Sequence, residues 1–91
     1  MAELKVSALK VSVVSADREV WSGMAKQIIA RTTEGEIGIL PGHEPILAIL
    51  AQGEVRVTPV DGAVITANAN DGFLSVEHDT VTIVARNAEL V

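Results

Sequence analysis

Two histidines, His43 and His78, are the only imidazoles in this chain of 91 residues, and both sit among carboxylates. Glu34 and Glu36 lie shortly before His43 and Glu44 follows it; Glu77 and Asp79 bracket His78. Histidine beside a carboxylate is the raw material for general acid–base work, for a serine-based nucleophile or for a metal. The spacing argues against each. No third ligand stands at short range from either histidine, and there is no cysteine to supply a thiolate or a disulfide. No Gly-x-Ser-x-Gly elbow is present. Glu34 and Glu36 flank Gly35 and read as solvated turn residues, whereas a carboxyl acting as an acid at neutral pH needs a desolvated pocket. The run from Gly35 to Gly42 lacks the Lys-Ser/Thr that completes a phosphate loop. Neither a catalytic set, a metal nor a cofactor is expected. A small hydrolase using His43 with Glu36 or Glu44 is the weakest reading, and Glu77-His78-Asp79 reads as a polar turn.

What must position Glu34, Glu36 and His43 is the stretch Gly35-Glu36-Ile37-Gly38-Ile39-Leu40-Pro41-Gly42-His43-Glu44-Pro45, which holds three of the seven glycines and two of the three prolines. Gly35 and Gly42 can take positive φ without steric cost, and Pro41-Gly42 fits a type II turn. Gly38, inside an apolar run, is expected to mark a bulge or a close backbone approach. The stretch therefore specifies a turn, a short kinked strand and a second turn.

Around it the chain reads as strands. Leu-Lys-Val-Ser occurs at 4–7 and again at 9–12. The odd offset means the copies cannot share one face of an unbroken strand, so a bulge lies near Ala8 or the first copy is an extension. We divide the chain into a lead-in at 1–8, a domain at 9–86 and a tail at 87–91 that frays. Short strands are expected at 20–23, 25–33, 54–58, 63–69, 73–76 and 80–85. Turns are expected at Gly23, Gln52-Gly53, Pro59-Val60-Asp61-Gly62, Asn70-Asp71-Gly72 and Glu77-His78-Asp79. The six apolar residues Ile46–Ala51 suggest burial on both faces, with a short helix as the competing reading. Ile29 points outward, as a singly exposed apolar residue or a partner-facing one. Trp21 is either a core anchor or an interface anchor. Eight or nine short strands without an amphipathic helix fit an all-β fold, an antiparallel β-sandwich or flattened barrel.

Composition narrows the function. Apolar residues make up 48% and aromatics 2%, so the core is aliphatic. The net charge of −5, with no two basic residues adjacent, argues against nucleic acid. No apolar run approaches a membrane span, and the N-terminus lacks a signal-peptide pattern. Such a domain works by presenting a surface.

Val13–Arg18, Val20-Trp21-Ser22-Gly23, the run Gly35–Pro45 and Asp71-Gly72-Phe73-Leu74-Ser75-Val76 follow one another here. In that order they resemble the epsilon subunit family of F-type ATP synthase, and the likeness covers nearly the whole chain. It implies a sandwich of about ten short strands and a non-catalytic rotor subunit of the central stalk, coupling proton translocation to ATP synthesis. The implied partners are the gamma subunit and the polar loops of the c-ring. Membrane association would come only through the complex, on the cytoplasmic face of the bacterial plasma membrane. By motif position Glu34, Glu36, Gly42 and His43 face the ring; Ile29 and Trp21 are candidates for the gamma contact. The family's C-terminal two-helix hairpin has no counterpart after Val91, so the sequence reads as a short form, natural or truncated. Nucleotide binding, which in some members lies in that hairpin, is not expected. The alternative is a stand-alone β-sandwich binding or carrier module, disfavoured because the 59–62 turn carries no lysine to acylate.

Overall fold

The computed structural model describes residues 8–16 and 18–90, and the first Leu-Lys-Val-Ser copy lies outside them. Six strands follow one another: β1 (Leu9–Ser15), β2 (Arg18–Thr32), β3 (Gly35–Ile39), β4 (Ile46–Pro59), β5 (Ile65–Glu77) and β6 (Thr80–Leu90). They are ordered β1-β6-β5-β4-β2-β3, and β1 also pairs with β2, which closes the first five into a barrel. Ala25 pairs with both Leu9 and Pro59, so β1 lies on the side of β2 away from β4. β3 pairs with the other half of β2 and extends that same side as a short edge strand. β1 and β6 run parallel and the other pairs antiparallel.

The count of six long strands, against about ten short ones expected, has a physical origin. Four strands bend, and each bend flips the parity of the inward face. In β2 the buried residues are Ala25 and then Ile28 and Ala30; in β4, Leu50 and then Val55 and Val57. In β5 they are Ala67 and Ala69 and then Leu74 and Val76; in β6, Val81, Ile83 and Ala85 and then Ala88. An unbroken strand would send the second group to solvent. Two local distortions prevent that: β2 slips register against β4 near Ala25 and Ala30, and ladder pairing between β4 and β5 lapses between Ile49 and Gly53. Gln52-Gly53 and Asn70-Asp71-Gly72, read from sequence as turns, are therefore bends within continuous strands, and Gly23, read the same way, is a regular ladder residue of β2 opposite Val11. Each bent strand serves both faces of a flattened barrel, and counting the segments either side of the bends gives ten.

Gly72 shows why one bend needs glycine. A Cβ there would collide with the Val84 carbonyl and lie 2.6 Å from the Ala85 Cα. β5 and β6 pass in contact at that point. Gly38, by contrast, is neither bulged nor crowded. It pairs regularly with Ile29, and a Cβ would meet nothing within 4 Å. Residues 87–90 do not fray either; they pair with 67–70, and Ala88 is buried.

The core is the aliphatic set the composition requires, with Leu9, Val11 and Val13 from β1 meeting Val81 and Ile83 from β6. Thr32 is the one buried polar residue among those described. Its hydroxyl donates to the Gly35 carbonyl (2.7 Å) and accepts from the Glu34 N–H (3.1 Å), which closes the β2–β3 turn.

Candidate functional site

The two turns flanking β3 form as their residues dictate. Gly35 sits at φ 115°, and Gly42 at φ 87°. The His43 N–H donates to the Leu40 carbonyl at 3.1 Å, which makes Leu40-Pro41-Gly42-His43 the expected type II turn. The Thr33 N–H donates to the Ile49 carbonyl at 3.0 Å, fastening the first turn to β4. The Gly42 N–H donates to Asp79 Oδ1 at 2.7 Å, fastening the second turn to the β5–β6 hairpin.

The four residues assigned to one tip are thus spread over two turns and the strand between them. Glu34 lies in the first, Gly42 and His43 in the second, and roughly 13 Å of β3 separates them at about 3.3 Å rise per residue. Glu34 and Glu36 are exposed and His43 is half-exposed. The His43 Nδ1–H donates to the Glu44 carbonyl at 2.7 Å, which holds the ring beside its own backbone. Glu36 stands on the outer face of β3, directly opposite Arg31.

Ile29 does point outward, and it shares surface with Glu36. One groove is lined by Ile29, Arg31, Glu36, Gly53, Glu54 and Arg56, and the adjoining one by Ile29, Glu36, Gly38 and Leu40. Bare Gly38 beside Ile29 leaves that side chain half-exposed. Trp21 belongs to the opposite face of β2. It pairs with buried Val13 and packs on the core cluster, its ring edge lying over Gly23. The structure therefore does not bring Trp21 and Ile29 together.

One feature escaped the sequence reading. Ile49, Phe73, Val84 and Val14 are successive cross-strand partners through β4, β5, β6 and β1, so they form one row on the outer face. Leu47 is 70% exposed, Ile49 57% and Phe73 38%. The next row, from Leu47, continues through Ser75, Thr82 and Ser12 and supplies a hydroxyl border. The Ile46–Ala51 run is therefore buried on one face only. The available signal was the run itself: in a strand, half of six consecutive apolar residues must face outward.

The arrangement lies on the outside of the barrel. Its carboxylates and His43 lie in turns and on outer faces, and among the described residues no three His, Asp or Glu gather to hold a metal. The described residues contain no helix able to cross a membrane.

Comparison with known proteins identifies the architecture. Residues 8–91 match the family described as the β-sandwich domain of the ATP synthase delta/epsilon chain. The chain is 53% identical over 85 residues to the ATP synthase epsilon chain of Micrococcus luteus, covering 93% of each. It is 45% identical over 82 residues to that of Streptomyces coelicolor, covering 90% of this chain and 66% of the relative. A chain in the Euglena gracilis mitochondrial ATP synthase, solved with OSCP, F1 and c-ring, superposes with TM-score 0.87 at 26% identity, covering 97% of this chain and 56% of that one. A chain in the Tetrahymena thermophila central stalk and c-ring shares the fold, with TM-score 0.74 at 17% identity.

Proposed function

The chain belongs to the β-sandwich family of the ATP synthase delta/epsilon chain, and from that premise we propose that it is a non-catalytic subunit of the central stalk. It joins the gamma subunit to the c-ring, so that proton-driven rotation reaches the catalytic head. The family match across residues 8–91 carries this reading. The surface supports it: charged and glycine-braced turns at the two ends of β3, an exposed apolar row on a barrel face, and carboxylates placed outside the core.

Within that role the row led by Ile49 and Phe73, with Leu47 beside it in the next row, is the surface for gamma. Apolar area of this kind, bordered by hydroxyls, stabilises a partner when it is removed from water at about 25 cal/mol per Å². Ile29 extends contact on the other outer face, and Trp21 serves chiefly as a core residue at the rim. The ring-facing groups are Glu36, Gly42 and His43, with Glu34 at the neighbouring turn; polar loops suit their charge and exposure. The subunit is peripheral, held at the cytoplasmic face of the membrane through the complex alone.

Reconstitution tests the role. ATP synthase depleted of its epsilon subunit is supplemented with this chain in proteoliposomes, and ATP-driven proton uptake is compared with hydrolysis. Uptake should recover relative to hydrolysis; an unchanged ratio with the chain incorporated contradicts the proposal.

A further inference from the structure

Asp79 stands at the corner of the β5–β6 hairpin with φ 57°, a left-handed conformation that aspartate tolerates better than most residues. Its carbonyl accepts from the Lys10 N–H at 2.8 Å, which ties the hairpin to β1. Its carboxylate accepts from the Gly42 N–H at 2.7 Å, across 37 residues of sequence. That N–H is free for a reason. A type II turn closes through the carbonyl of its first residue and the N–H of its fourth, here Leu40 and His43, and leaves the third residue's N–H without a partner. Among the described residues, the other hydrogen bonds of the turn, Leu40 to His43 and His43 to Glu44, are internal to it. The Asp79 carboxylate is what fixes the turn against the barrel.

We infer that Asp79 is a positioning residue for the Pro41-Gly42-His43 turn, orienting it so that His43 meets its partner in a single pose. The functional half of this inference rests on the reading of that turn as ring-facing. A charge-assisted bond to a backbone N–H is among the stronger kinds and adds direction as well as attraction. Without it, none of the turn's remaining hydrogen bonds among the described residues would reach β5 or β6.

Asp79→Gly removes the carboxylate while accepting the left-handed φ; Asp79→Asn keeps an acceptor oxygen. In the full chain, Asp79→Gly should raise amide hydrogen exchange at Gly42 about tenfold, with the core amides of Leu74 and Ile83 unchanged and Asp79→Asn close to the parent. Unchanged exchange at Gly42, or an equal rise at every amide, overturns the tether. In the reconstituted complex, Asp79→Gly should lower proton uptake per ATP hydrolysed and Asp79→Asn should restore it. If Asp79→Gly loosens the turn yet leaves that ratio intact while His43→Ala lowers it, the positioning role is overturned. If His43→Ala and Glu36→Lys are also without effect, the failure lies in the ring-facing assignment, and the functional half of the inference falls with it.

Discussion

Ile49 and Phe73 stand directly opposite each other across β4 and β5, both on the outer face and both open to solvent, at 57% and 38%. Val84 and Val14 continue the row on β6 and β1. A strand pair with its aliphatic and aromatic side chains turned away from the core contributes less to folding than a buried pair, which suits it to the proposed contact. Ile49→Asp should leave stability within about 0.5 kcal/mol, as for exposed positions generally. The same change should weaken association with the gamma subunit at least tenfold, roughly the loss of a central interface residue. Thermal melts and calorimetric titration of the two proteins check both halves.

Glycine-to-alanine changes at two positions separate crowding from exposure. Gly72→Ala places a methyl against the Val84 carbonyl and 2.6 Å from the Ala85 Cα, both backbone, which cannot move without parting β5 from β6. A loss of about 3 kcal/mol or more is expected, in the range of overpacked core sites. Gly38→Ala meets no atom within 4 Å and has ordinary strand φ, so its effect should stay within about 0.5 kcal/mol or be stabilising. Urea unfolding of the pair measures the difference.

Much of this was legible in the sequence, and the shortfall has a single cause. Pro41-Gly42 announced its turn, and Glu54–Thr58 reads as a strand and lies within β4. Gly53 and Gly72 read as turns because a glycine that permits a bend inside a strand looks, locally, like one that ends it, and Gly23 because a glycine within a regular ladder carries the same local signal. Only the partner strand distinguishes them: the β5–β6 register holds across Asp71-Gly72, with Asn70 opposite Asn87 and Gly72 opposite Ala85. The same dependence hid the apolar row, whose members come from four strands. It also hid the division of the proposed tip, since Glu34 and His43 are near in sequence but hang from opposite ends of β3. Asp79 could not have been found at all, because nothing local links it to Gly42.

Trp21 reports on its own packing. A Cβ at Gly23 would come within 2.9 Å of the indole Cζ2, a side-chain atom that can shift. Gly23→Ala should therefore move the ring and red-shift the emission of this sole tryptophan. The stability cost should be modest, about 1 kcal/mol. Steady-state fluorescence before and after denaturation gives both quantities.

Glu36 carries the sharpest electrostatic expectation. It is exposed opposite Arg31, and reversing its sign places like charges across the β2–β3 pair. The effect on folding should be about 0.5 kcal/mol or less. Proton uptake per ATP hydrolysed in the reconstituted complex should fall with Glu36→Lys and remain near the parent value with Glu36→Gln.

Titration of the folded chain with purified gamma subunit tests the central claim, that this barrel works by docking to the rotor. Saturable one-to-one heat is expected below about 50 μM, and it should be greatly reduced by Ile49→Asp. An absence of heat at that concentration with the domain folded, or full affinity in the Ile49→Asp variant, would contradict the account.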